Sequence, residues 1–94
     1  MNIETIKRIT SIKLNVSVDD INGRGKHKEV ITARQIAMYL TRKHTKATVM
    51  KIGRSFNKHH SNISSNFKSV SGYIETDKTF ALQVEEVEKA LNAI

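Results

Sequence analysis

Residues 58–69 carry Lys58, His59, His60, Ser61, Asn62, Ser64, Ser65, Asn66, Lys68 and Ser69, interrupted only by Ile63 and Phe67. No carboxylate occurs among them. A solvent-facing helix would ordinarily mix Glu with Lys. Short amide, imidazole and hydroxyl groups without acids suit a partner rich in acceptors and negative charge. Asn can pair in bidentate fashion with adenine, His can donate to guanine, and Lys can serve guanine or a phosphate. The reading end of this run is Lys58, His59, His60, Ser61 and Asn62, which we take as candidate DNA base contacts.

Other chemistries fit less well. The four histidines include the adjacent pair His59-His60, whose rings point in different directions on a helix, and no Cys or carboxylate stands at ligand spacing. No metal or other cofactor is expected. The serines have no paired base and carboxylate to activate a nucleophile. Gly23-Arg24-Gly25 is too short for a phosphate-binding loop and lacks the following Lys-Ser/Thr. The chain therefore reads as a binding module, not an enzyme, with no small-molecule substrate.

Charge placement supports the same partner. Residues 1–23 balance to zero, residues 24–58 hold ten cations against Glu29 alone for +9, and residues 59–94 come to −2, giving the net +7 of the chain. Solubility needs mixed signs, not this segregation. A basic middle segment is the footprint of a polyanion. The rival reading is a basic face that docks an acidic protein. Residues 22–29 hold two glycines and no helical pattern, so they form a loop that is both mobile and cationic. Such an arm can enter a minor groove, which concentrates negative potential. Arg24, Lys26 and Lys28 are its candidate minor-groove residues. Candidate phosphate contacts are His27, Thr32, Arg34, Arg42, Lys46, Thr48, Lys51 and Ser65.

The elements that must position these residues are helical. The chain lacks cysteine and proline, so disulfides and cysteine-ligated zinc are excluded. No apolar stretch nears the roughly 18 residues of a membrane span, and no signal peptide is visible; the expected location is cytoplasmic and nucleoid-associated, with no membrane partner. Residues 2–14 read as a first helix with Ile3, Ile6 and Ile9 on one side and Ile12 drifting round. Leu14, Val16 and Val18 alternate as a strand would, but Ser17 can cap a short helical turn over residues 18–21. Residues 30–45 read as a long helix with Ala33, Ile36, Ala37, Tyr39 and Leu40 inward and Arg34, Arg42 and Lys43 away from the centre.

Residues 48–56 suit a short helix. Gly53 costs it about 1 kcal/mol against alanine, which is reasonable where another helix must cross very close by. Asn57 is the expected N-cap of the next helix. That helix runs from His59 with Ile63, Phe67, Val70 and Ile74 at offsets 0, 4, 7 and 11. Gly72 weakens its end. Thr76-Asp77 starts a last helix with Phe80, Val84, Val87, Leu91 and Ile94 at offsets 0, 4, 7, 11 and 14 and an acidic outer face. The expectation is an all-α, compact bundle of five to six helices, one domain over residues 1–94. It contains a helix-turn-helix at about residues 48–72 and the basic loop at about residues 22–29. In that motif the first residues of the second helix touch base edges while the first helix crosses the backbone.

Residues 34–40, Arg-Gln-Ile-Ala-Met-Tyr-Leu, closely resemble the Arg-Gln-x-Ala-Met-Tyr-Leu run in the C-terminal domain (domain IV) of the bacterial chromosomal replication initiators, the DnaA proteins. The resemblance continues through Ile52-Gly53, Phe56 and Lys58-His59-His60-Ser61-Asn62-Ile63, where the family typically reads Arg-Asp-His-Thr-Thr-Val. It extends in helix order over residues 3–92, with diagnostic identity in residues 24–63. It implies a TrpR-like, DnaA C-terminal fold that binds nonameric DnaA-box duplex as a monomer. The recognition helix would enter the major groove and a loop cation, Lys26 or Arg24, the adjacent minor groove. Lys58 matches the motif arginine, His60 the motif histidine, and Ser61 and Asn62 the two threonines that meet base edges. Arg34 and Arg42 would contact the backbone.

The chain departs from the family at His59 for aspartate, Ser61-Asn62 for the threonine pair, Thr32-Ala33 for Arg-Pro, and in a turn after Phe56 one residue shorter. Without the threonine methyls the preferred site can differ from the standard box. A stand-alone relative that regulates transcription or replication is therefore an alternative to an initiator's own domain.

Overall fold

Short polar side chains at the helix starts set the boundaries. Asn2, Ser17, Thr48, His59 and Asp77 each accept a backbone N–H two or three residues on, satisfying donors that the first helical turn leaves free. The computed structural model describes residues 1–94 as six helices: α1 Ile3–Leu14, α2 Val18–Asn22, α3 Lys28–His44, α4 Val49–Phe56, α5 His60–Thr76 and α6 Lys78–Asn92. There is no strand, so the alternation at Leu14, Val16 and Val18 resolves into the end of α1 and the Ser17-capped α2.

Helix α3 is the spine. Its broad apolar arc divides between two cores. Ile36, Tyr39 and Leu40 face Ile6 of α1, Val70 of α5, and Phe80, Val84, Val87 and Leu91 of α6. Ala33, Ala37 and Met38 face Val16, Ile21, Ile52, Phe56 and Ile63. The stripes read from the sequence are thus the cores, except that Ile94 lies beyond α6 and is exposed. Gly72 neither ends α5 nor strains it. The helix runs through it to Thr76, and a Cβ there would meet nothing within 4 Å.

The end of α3 is tied to α6 by charge. Glu88 accepts from Lys43 Nζ at 2.7 Å and from His44 Nε2 at 2.6 Å. A carboxylate only accepts, so Nε2 is the protonated ring nitrogen of His44. Burial alone would raise the Glu88 carboxyl, but hydrogen bonds from Lys43 and His44, with the charge of both, hold it below the ordinary carboxylate value. The same hydrogen bond raises the Lys43 ammonium.

Candidate nucleic-acid interface

The turn between α4 and α5 is built from backbone atoms. Asn57 adopts the left-handed conformation, φ 58° and ψ 41°. Its N–H reaches Arg54 O at 3.3 Å and the N–H of Lys58 reaches Gly53 O at 2.8 Å, the paired bonds of a Schellman ending. Asn57 therefore closes α4 and does not cap α5. His59 is the cap: its Nδ1 accepts from the Ser61 N–H at 3.2 Å and lies 2.8 Å from Ser61 Oγ. The chain returns so tightly that a Cβ on Gly53 would stand 2.6 Å from Lys58 O and 3.3 Å from His60 N. The close crossing expected here of another helix is made instead by the turn itself.

The basic loop, residues 23–27, is pinned at its stem. Arg34 is 6% exposed, and its guanidinium donates from Nε to Ile21 O at 3.0 Å, from Nη2 to Asp20 O at 2.7 Å and from Nη1 to Gly25 O at 3.2 Å. Burial draws it below the ordinary arginine value, against the opposing charge of Asp20. Arg34 is therefore not the outward phosphate grip that its charge suggests. Carbonyls at the end of α2 need donors, and Arg34 is the fork that meets them. Across the gap, Asn57 Nδ2 donates to Asn22 O at 3.0 Å, joining the turn to the base of the loop. The cations converge accordingly. Burial first, then the charges of Arg34, Arg24 and Lys26, hold the Lys58 ammonium below the ordinary lysine value.

Of the residues proposed to meet bases, His59, His60, Ser61 and Asn62 are exposed on the first turn of α5 and its cap, and Lys58 is half-buried beside them. The His59 and His60 rings lie 4.1 Å apart, centroid to centroid. Arg24, Lys26 and His27 are exposed in the loop, while Lys28 is exposed as the first residue of α3, which starts two residues earlier than the periodicity suggested. Lys46, Thr48 and Lys51 line one open depression at the start of α4. Arg42 and Ser65 are exposed and Thr32 is half-buried. No group of three His, Cys, Asp or Glu is arranged to hold a metal ion, and no helix is long and apolar enough to cross a membrane.

Three side chains, buried or bridging, hold these elements in place. Lys7 is buried; its ammonium donates to Ser55 O at 2.7 Å and Ser55 Oγ at 2.8 Å and stands 4.4 Å from the centre of the Phe56 ring. It ties α1 to the last turn of α4. Burial pulls it below the ordinary lysine value, with Glu4 opposing. Its position with Ile3, Ile6 and Thr10 at helical spacing was the available signal. Asn66, read as outward polar, is buried against α3 and donates to Gln35 O at 3.1 Å, which fixes the rotation of α5. The third is Asn57, whose bridge to Asn22 spans 35 residues.

Residues 3–70 match the family model described as the bacterial dnaA protein helix-turn-helix. The chain is 34% identical over 92 residues to the chromosomal replication initiator protein DnaA of Bacteroides thetaiotaomicron, covering 97% of this chain and 20% of that protein. It is 35% identical over 77 residues to the protein of the same name from Caldanaerobacter subterraneus subsp. tengcongensis, covering 82% and 17%. With that of Nostoc punctiforme it shares 30% identity over 90 residues, covering 95% and 20%. The chain thus spans about a fifth of the length of the curated relatives it matches.

Proposed function

The chain belongs to the bacterial DnaA helix-turn-helix family, and from that premise we propose that it is a non-catalytic, sequence-specific reader of double-stranded DNA. The observation that carries this reading is the convergence at Lys58 of an acid-free first turn of α5 with the cationic loop. The exposed turn would enter the major groove. His60 and Asn62, whose side chains make no hydrogen bond within the protein, would meet base edges, with Ser61 beside them. Lys58 and the free Nε2 of His59 would reach the nearby phosphates or guanine. Lys26 or Arg24 would enter the adjacent minor groove. Lys46, Thr48 and Lys51, together at the start of α4, would take a phosphate that the free N–H groups of that turn also attract. Arg42 would grip the backbone farther along.

The name the relatives share supports a part in replication initiation or its control, at sites akin to the DnaA box. The Ser61-Asn62 pair and His59 make a shifted preference the expectation. Each changed base contact alters discrimination by about 1–3 kcal/mol.

Selection of duplexes from a random pool tests this reading. One preferred site should emerge. Asn62→Ala should relax the preference, and Arg42→Ala should weaken all duplexes alike and flatten the salt slope by about one unit. Equal competition by random and selected duplexes would instead favour a basic module that docks an acidic protein.

A further inference from the structure

The loop and the turn are the two elements proposed to meet bases, and one side chain joins them. We infer that Asn57 is a specificity-determining positioning residue. By linking the turn to Asn22, it fixes the distance between the arm at residues 23–27 and the first turn of α5, and so sets the spacing between the two parts of the DNA site. This inference rests on the duplex-reading proposal above.

Several observations converge on the link. A left-handed position at a helix end is most easily filled by glycine, and Asn is the usual second choice. The chain has a second such residue, Asn15 at the end of α1, with φ 56°. The Asn15 side chain makes no hydrogen bond, whereas Asn57 Nδ2 crosses to Asn22 O at 3.0 Å. Turn geometry alone therefore does not account for what Asn57 does. Its acceptor is the last carbonyl of α2, a group the helix cannot satisfy for itself. The next residue is Gly23, where the arm begins.

The bridge acts where repulsion would otherwise separate the elements. Arg24, Lys26 and Arg34 all press on the Lys58 ammonium. Like charges facing one another favour an arm that swings out from the turn. Arg34 fixes the arm to α2 and α3 through Asp20, Ile21 and Gly25, but makes no bond to the turn. The Asn57 amide supplies that bond. Being neutral, it is not weakened by the ionic strength that screens exposed ion pairs. With both fastenings in place, the arm meets DNA at one set distance from α5, already ordered, instead of searching for a groove.

The test uses the duplex that the wild-type chain selects from a random pool, and a series with one base pair inserted or removed between its central bases and its flank on the arm side. In the wild type, Lys26→Ala should lower affinity for the selected duplex about tenfold, and a one-base-pair shift should do the same. In Asn57→Gly, which keeps the left-handed turn, both effects should shrink to about threefold or less. Asn57→Asp keeps the Cβ and the turn but replaces the donor with an acceptor, and should behave likewise. Backbone 15N order parameters at residues 23–27 of the free chain should fall in both variants. A full Lys26 effect and a full spacing penalty in Asn57→Gly would overturn the inference, as would order parameters that do not change. A uniform loss of affinity with the spacing penalty intact would also overturn it, since that is the signature of a merely structural residue. If the wild type binds all duplexes alike, the duplex-reading proposal fails, and the order parameters alone decide whether Asn57 couples the two elements.

Discussion

Gly53→Ala and Gly72→Ala are the same change in two helix interiors, and the structure predicts opposite signs. In an open helical position alanine is favoured by about 0.5–1 kcal/mol, through helix propensity and a less mobile unfolded chain. Gly72 is such a position, with nothing within 4 Å of the added methyl. At Gly53 the methyl carbon would lie 2.6 Å from Lys58 O, about 0.8 Å inside the 3.4 Å at which ordinary contact begins. The obstacle is backbone, so no side chain can swing aside. Moving the turn outward by that amount would stretch the 2.8 Å bond from Lys58 N to Gly53 O beyond hydrogen-bonding range.

The cost at Gly53 is about 1–3 kcal/mol for overpacking and about 1 kcal/mol for the lost bond, less about 1 kcal/mol of propensity. The net is a destabilisation of about 1–3 kcal/mol, a fall in Tm of roughly 4–8 °C per kcal/mol. The displaced turn also carries His59 to Asn62, so duplex affinity should drop about tenfold or more, while Gly72→Ala leaves it unchanged. Urea unfolding of both variants, with duplex titrations, checks the pair. A Gly53→Ala protein as stable as the wild type would refute the argument that close passage of the turn requires this glycine.

Glu88→Gln should lower stability at neutral pH by about 0.5–1 kcal/mol, a modest figure because Lys43 is partly exposed. The folded Glu88 carboxyl lies below its ordinary 4.5 and the Lys43 ammonium above its ordinary 10.5. The contribution is therefore present between those ordinary values. It is lost as pH falls through the lower folded value of Glu88, or rises through the higher one of Lys43. Urea midpoints measured against pH should show the wild-type advantage vanish in acid, and a constant difference would contradict the ion-pair account. Arg34→Lys keeps the charge but not the fork. It should cost about 2–3 kcal/mol in unfolding free energy and loosen residues 23–27, visible as faster proteolysis of the loop; a protein with unchanged stability would show that the three carbonyl bonds contribute little.

The parts legible in the sequence are those set by local periodicity. The stripes Ile63-Phe67-Val70 and Phe80-Val84-Val87-Leu91 are core in the structure, because one apolar face per helix suffices to say what must be buried. Ser17 and Asp77 cap α2 and α6 as their types suggest. Position 57 is locally ambiguous because asparagine suits both a helix start and a left-handed helix end. The choice is made by Gly53, whose carbonyl draws the chain back. At Arg34, charge argues for solvent. The three carbonyls it serves come from residues 9 to 14 positions away in the chain, and no local pattern reveals them. The role of Lys7 is hidden for the same reason, since its partner Ser55 lies 48 residues on. The exposure of His60, Ser61 and Asn62, by contrast, follows from type alone, although His59 and Ser61 also serve the cap of α5.

That last property bears on how the chain can change over evolution. The course of the turn is fixed by the Gly53 and Lys58 main chain, and the orientation of α5 by buried Ile63, Asn66 and Val70. His60 and Asn62 take part in neither, and substitutions at such exposed sites usually alter stability by no more than about 0.5 kcal/mol. On the duplex-reading proposal, target preference can therefore drift, or be re-engineered by randomising positions 60 and 62, without passing through unfolded intermediates. The scaffold is free to diversify its vocabulary while its grammar stays put.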